Sequence, residues 1–334
     1  VLTLTLSPNS LAMALCPARL FYYRLAHGGR KLSVGSPGAD AGSCIHEAFA
    51  ALNRGESVMA QEEALRKTRE SLPMLQRRDG TDDYATLAYL TDALAQLRAV
   101  WVPWLANWRV LEVERRAVRR LVVMEPRDTH PGWFTHLLCE GDTDAVAIHL
   151  EFVRDVVLQH RETGEVWIVD LKTASRDDST TRATYKVGDQ GKAYLWAWND
   201  EHPDLPAQGV QFWQLIMRKP VLKASARTKP TYEVVPGEAI RWPASFIDEW
   251  RESVLDRARA ILRRNPDDPR DWPLYGVAAG ACANQWGACP YLKVCDLEPG
   301  SRLTYLATDD FVPSAQGKRD AEPAMTATLT TTAP

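Results

Sequence analysis

In Val169-Asp170-Leu171-Lys172-Thr173 a carboxylate and an ammonium stand two residues apart. Successive side chains on a strand point to opposite faces. Asp170 and Lys172 then share one face, and Leu171 takes the other. Such a pair suits phosphodiester hydrolysis. A carboxylate can hold a divalent cation, which polarises a phosphoryl oxygen and lowers the pKa of bound water. A lysine can steer the attacking water or stabilise the charge that develops. A hard cation with octahedral oxygen ligation needs a second carboxylate. Glu140-Gly141-Asp142-Thr143-Asp144 offers two aspartates. Asp144 is the expected ligand and Asp142 its alternative. Asp-x-Lys by itself also arises by chance at charged strand ends, so its surroundings must carry the argument.

Those surroundings are a predicted α/β fold, a mixed central sheet flanked by helices. Val166 to Lys172 reads as a strand. Ala145 to Leu150 precedes it, and a polar tip ends at Gly164, so the pair forms a hairpin. The hairpin is expected to bring Asp144 beside Asp170. The β-rich runs Val110 to Val118 and Leu121 to Met124 carry Glu112 and Glu114. Gly209 to Met217 is a further strand. A helix over Tyr185 to Trp198 puts Gln190 and Tyr194 on one face, four residues apart. Another starts near Gly42, with Ile45, Ala48, Phe49 and Leu52 at helical spacing and His46-Glu47 in its first turns.

Helices over 58–71 and 82–99 read as an insertion (about 55–105) beside a core at about 110–217. A helix capped by Asn9 or Ser10 runs to about Leu25. The stretch 243–264 is amphipathic, with Phe246, Trp250, Val254 and Leu255 inward. It leads into a cysteine segment ending near 298. A single domain spans 1–312, and the Thr-, Ala- and Pro-rich tail 313–334 is predicted disordered.

Three of the six cysteines crowd together as Cys282, Cys289 and Cys295. Clustered thiols in a reducing compartment point to metal or cluster ligation more than to disulfides. Zinc sites usually use Cys-x₂₋₄-Cys pairs, and none is present. Buried core thiols are the plain alternative. Cys44 and Cys139 read as core residues.

The order His46-Glu47, Gly141-x-x-Asp144, Asp170-x-Lys172 and Gln190-x-x-x-Tyr194 resembles the RecB-like family of PD-(D/E)XK nucleases. That family includes AddB nuclease domains and the CRISPR adaptation nucleases. The resemblance implies a restriction-endonuclease-like core. It implies Mg²⁺ or Mn²⁺ at His46, Asp144, Asp170 and Glu114, with Lys172 assisting catalysis. It also gives Gln190 and Tyr194 a place in the site and in DNA contact. Cys16-Pro17 is similar to the N-terminal segment of the iron–sulfur branch. There, one early cysteine joins three late ones around a [4Fe–4S] cluster and clasps the two ends of the domain. The implied ligands are Cys16, Cys282, Cys289 and Cys295. Six residues separate Cys282 from Cys289, where two is the commoner gap.

Composition narrows the function without naming it. The chain has 334 residues, 45% hydrophobic and 25% charged, with a formal net charge of −3. That overall balance neither requires nor excludes nucleic acid, because binding depends on local patches. Arg115, Arg116, Arg119 and Arg120 form one basic run. Arg218, Lys219, Lys223, Arg227 and Lys229 form another. Either can contact phosphates or stay solvated. No run reaches the roughly 18 apolar residues of a membrane span. Val1 to Leu15 lacks a basic n-region, so it reads as part of the fold, and a cytoplasmic location is expected. No phosphate-cradling Gly-x-x-x-x-Gly-Lys-Ser/Thr loop occurs, so a helicase or recombination partner would be a separate chain. The expected function is a metal-dependent DNA exonuclease in recombination, repair or end processing. A catalytically weak DNA-binding scaffold is the alternative.

Overall fold

The computed structural model describes residues 2–6, 30–32, 37–72, 86–131, 145–177, 179–218, 222–223, 226–227, 230–265, 268, 271, 283–284, 287–288, 301 and 311–313. In chain order the main elements are β1 (Leu2–Leu6), α1 (Pro37–Asn53), α2 (Val58–Ser71), α3 (Leu87–Leu105), β2 (Trp108–Met124), β3 (Val146–His160), β4 (Val166–Ala174), α4 (Ser179–Val187), α5 (Asp189–Glu201), β5 (Ala207–Arg218), β6 (Thr231–Val235), β7 (Ala239–Ile240) and α6 (Ala244–Leu262). The chain divides into two compact units. One is Gly35–Ala117 with Phe152–Ile247. The other is Val1–Val34, Val118–Glu151 and Asp248–Pro334.

The first unit holds a mixed sheet. β3 and β4 form the expected hairpin, antiparallel, with Val156 opposite Val169 and Gln159 opposite Val166. β4 and β5 are parallel, with Asp170 beside Phe212 and Lys172 beside Gln214. β6 and β7 each add to β5 antiparallel. β2 pairs with β3.

Alternation along the strands sorts the side chains into two layers. Trp167, Val169 and Leu171 of β4, with Trp213, Leu215 and Met217 of β5, join one hydrophobic core with α1, α2 and α3. Asp170 and Lys172 take the opposite face, where Tyr194 of α5 meets Asp170. Trp101 is fully buried at the centre of the core. Phe49, Trp104 and Trp213 each lie about 4.8 Å or less from its ring or its neighbour's. Burying each such ring removes roughly 150–250 Å² from water. Its indole N–H donates to Asn53 Oδ1 at 3.0 Å, so the buried donor is satisfied.

Helices α2 and α3 start where their caps dictate. Ser57 Oγ accepts from Ala60 N, and Thr86 Oγ1 from Tyr89 N, each satisfying an orphan amide. The sequence reads these helices as an insertion beside the core. They instead complete it: Leu65 of α2 and Leu90, Ala93, Leu94, Leu97 and Trp101 of α3 are buried in the same cluster as the sheet. Their helical spacing makes an apolar stripe that a separate insertion would leave wet.

In the second unit β1 runs parallel to the start of β3, pairing Leu2 with Val146 and Leu6 with Leu150. There α6 buries Trp250, Val254, Leu255, Ala258, Ile261 and Leu262. Arg257 is buried among them, its Nε directed to the Ser253 carbonyl at 3.4 Å. Phe246, expected inward, is 41% exposed and lies beneath Lys192 Nζ, 5.2 Å from the ring centroid. Among the described residues no helix is long and apolar enough to cross a membrane. The expected helix to Leu25, Cys139, and the tail beyond Pro313 lie outside the described residues.

Candidate active site

The site grows at the β3–β4 hairpin of the first unit. Asp170 is almost fully buried, and its Oδ2 lies 2.6 Å from Lys172 Nζ. Lys172 Nζ donates to Gln190 Oε1 at 2.9 Å. Gln190 Nε2 donates to Asp170 Oδ1 at 3.3 Å and to Tyr194 Oη. Tyr194 Oη donates to the same Asp170 oxygen at 3.2 Å. The structure therefore gathers Asp170, Lys172, Gln190 and Tyr194 in one closed network. Gly191 lets α5 come this close: a Cβ there would sit 2.9 Å from Trp242 and 3.0 Å from Phe212.

His46 arrives from α1. The approach depends on Gly42, where a Cβ would lie 2.7 Å from Thr173 Oγ1 on β4. A side chain at 42 would force either this hydroxyl or this end of the helix to shift. His46 Nδ1 ends 3.3 Å from Asp155 Oδ2. That same oxygen accepts from the backbone N–H of Leu171 at 2.7 Å.

Asp155 is the residue the sequence reading lacks. The expectation puts Asp144 opposite Asp170 through the hairpin. The register, with Val156 opposite Val169, brings Asp155 to that end of β4. Asp144 itself, like Asp142, lies outside the described residues.

Glu114 and Glu112 part company. Glu114 comes together with His46 and Asp155, their donor atoms all within 4.8 Å of one another. Its backbone is left-handed, at φ 46°. A non-glycine residue rarely takes that conformation, and it costs about 1–3 kcal/mol. Glu112 turns to Arg154, accepting from Nε at 2.7 Å and from Nη2 at 3.2 Å. The two glutamates thus take different partners.

Electrostatics follow from burying this many charges. Burial pushes the Asp170 carboxyl up, with Lys172 pulling the other way. Burial works against the Lys172 ammonium too, but Asp170 and Asp155 outweigh it and raise its pKa. Lys172 is therefore a cation, suited to stabilising charge. Burial also opposes the imidazolium of His46, yet the Asp155 hydrogen bond and charge raise it. Burial and the Asp155 charge push Glu114 up to about 7. Tyr194 is raised well above the phenol range, chiefly by burial, and stays a neutral donor.

The donor set fits a hard divalent cation. Two carboxylates (Glu114, Asp155) and one imidazole (His46) converge, with the charge of buried Asp170 acting on His46 and Glu114 from beside them, and a hard cation favours such oxygen and nitrogen donors over thiolate. Asp170 Oδ2 is taken up by the Lys172 ammonium, 2.6 Å away. Cys44, near His46 in sequence, is buried in the core, and burial pushes its thiol up to about 11, so it stays protonated. Cys16, Cys282, Cys289 and Cys295 lie outside the described residues, as do the side chains of Lys219, Lys223, Arg227 and Lys229. Trp198 and Trp213 are core residues, 3% and 1% exposed.

None of the curated proteins searched matches the chain. A crystal structure of a protein from Eubacterium rectale, provisionally described as an exonuclease, matches at 13% identity and a TM-score of 0.35. The match covers 69% of this chain and 67% of that one. The family model described as the PD-(D/E)XK nuclease superfamily matches residues 5–296. This chain belongs to the PD-(D/E)XK nuclease superfamily.

Proposed function

We propose that the protein is a divalent-metal-dependent DNA nuclease that hydrolyses phosphodiester bonds from DNA ends. The observation that carries the reading is the meeting of His46, Glu114 and Asp155 beside the Asp170–Lys172 pair. His46, Glu114, Asp155 and Asp170 would hold the cation, with Asp155 in the role the sequence reading gave to Asp144. Bound there, Mg²⁺ or Mn²⁺ supplies a polarised phosphoryl oxygen and an acidified water. The chain's own residues do the rest. Asp170 and Gln190 fix the Lys172 ammonium, which faces the negative charge that grows on the phosphorus oxygens. Tyr194 holds Asp170 in place by its hydroxyl.

A cytoplasmic role in recombination, repair or end processing suits such chemistry, with a separate helicase or recombination protein as partner. We assign Cys16, Cys282, Cys289 and Cys295 to a [4Fe–4S] cluster on the sequence resemblance. The intact Asp155, Asp170 and Lys172 set favours catalysis over a scaffold role, which has no use for it.

End-labelled single- and double-stranded linear DNA, incubated with Mg²⁺ or Mn²⁺, tests this reading. Stepwise release of label from one end supports an exonuclease and gives its polarity. Cleavage of closed circles at the same rate would replace it with an endonuclease. Iron and sulfide found after anaerobic purification support the cluster, and stoichiometric zinc would overturn it.

A further inference from the structure

We propose that Arg154 is a positioning residue whose guanidinium, by gripping Glu112 and Glu201 together, sets how Glu114 is presented to the divalent cation. The proposal rests on the reading that His46, Glu114 and Asp155 hold that cation.

The Arg154 side chain is 0% exposed. Besides its fork on Glu112, its Nη2 donates to Glu201 Oε2 at 2.8 Å. Two rings flank it, Phe152 at 5.9 Å and Trp198 at 5.4 Å. Phe152 in turn packs on Tyr194, centroids 5.6 Å apart. A buried guanidinium with two carboxylates is costly to assemble, and each partner must be well placed.

Its grip on Glu112 and Glu201 ties together three of the five elements that bear the site. Arg154 precedes Asp155 on β3. Glu112 stands two residues before Glu114 on β2. Glu201 lies on α5, the helix of Gln190 and Tyr194. On a regular strand Glu112 and Glu114 would share a face. Here Glu112 binds Arg154 while Glu114 reaches His46 and Asp155, and the left-handed backbone falls at Glu114 itself. Such a conformation persists only where its surroundings over-determine it. The Glu112 grip, with a further bond from Arg115 Nη1 at 3.1 Å, supplies that restraint on one side.

The cluster is not a second cation site. Donor atoms of Glu112, Glu201 and His202 also lie within 4.8 Å of one another. The Arg154 cation already occupies both carboxylates.

The test is Mn²⁺ binding to the full chain without DNA, by titration calorimetry or by electron paramagnetic resonance of free Mn²⁺. Wild type is compared with Glu112→Gln, Glu114→Gln and the double variant, each shown folded by its thermal melt. Glu112→Gln is expected to weaken Mn²⁺ about tenfold, the scale of an outer-sphere partner. The double variant should bind no worse than Glu114→Gln alone, because Glu112 acts through Glu114. Arg154→Lys keeps the charge but loses the fork, and should weaken Mn²⁺ as Glu112→Gln does. Wild-type affinity in Glu112→Gln, or losses that multiply in the double variant, would overturn the proposal and leave the metal site standing. Wild type with no Mn²⁺ affinity would instead overturn the metal-site reading, and this inference with it.

Discussion

Leu171 donates its backbone N–H to Asp155 Oδ2 at 2.7 Å. The bond comes from the residue between Asp170 and Lys172, so the strand that presents both active groups also orients the second carboxylate. The same oxygen lies 3.3 Å from His46 Nδ1. One backbone amide thereby couples the Asp-x-Lys strand to the helix that carries the histidine. Charge-assisted bonds of this kind are short and directional, and they fix the Asp155 carboxylate between strand and helix.

Asp155→Asn should therefore lower metal-dependent cleavage about a thousandfold, equivalent to roughly 4 kcal/mol. Asp144→Asn should stay near the wild-type rate. Single-turnover rates for the two variants, side by side, decide which aspartate serves. The reverse ranking would return the role to Asp144.

Lys172→Met should separate chemistry from binding. The ammonium is held charged by Asp170 and Asp155, so its removal takes charge stabilisation away. Loss of one such donor costs about 10²–10³ in rate. DNA affinity measured with Ca²⁺ should change little. A variant that cleaves normally would remove Lys172 from the catalytic set.

Glu114 gives the metal-free protein a pH dependence. Its folded-state pKa is raised from 4.5 to about 7 by burial and by Asp155. A raised acid contributes stability below its unfolded pKa, and that stability is lost as pH climbs through the folded value. The metal-free protein should thus melt at lower temperature as pH rises from about 4.5 to about 7. Mn²⁺ affinity should move the other way, rising across pH 7 as the carboxyl gives up its proton. Glu114→Gln should flatten both profiles. Melting curves and Mn²⁺ titrations that keep their slope in Glu114→Gln would assign the titration elsewhere.

Gly42→Ala should displace His46. The added methyl meets Thr173 Oγ1 at 2.7 Å, while Thr173 Cβ stays 3.9 Å away. Overpacking of this kind costs about 1–3 kcal/mol. Thr173→Ala removes the offending oxygen, so the double variant should recover both melting temperature and Mn²⁺ affinity. Failure of that rescue would show that Gly42 is needed for another reason.

Period-two alternation makes the shared face of Asp170 and Lys172 legible in the sequence, whereas His46, Gln190 and Tyr194 stand out only through the order of motifs that resembles a nuclease family. Asp155 and Arg154 are hidden by the same logic. In one dimension Glu151, Arg154 and Asp155 look like a polar hairpin tip, because charges usually mark solvent. Here Arg154 is buried by Glu112 and Glu201, distant in sequence, and Asp155 by the Leu171 amide. Only the fold supplies those partners. The left-handed backbone of Glu114 is equally invisible, since nothing in the residue type announces it. Helices α2 and α3 are visible as helices, but their place inside the core depends on which surface their apolar stripes meet.

On the proposed function, a divalent cation at His46, Glu114, Asp155 and Asp170 drives phosphodiester hydrolysis. The most direct measurement compares cleavage of end-labelled DNA by wild type and Asp170→Ala, with Mn²⁺ and again with excess chelator. Cleavage that needs the metal and disappears in Asp170→Ala, with DNA binding retained, is the predicted result. Cleavage that survives either the chelator or the substitution would contradict the account.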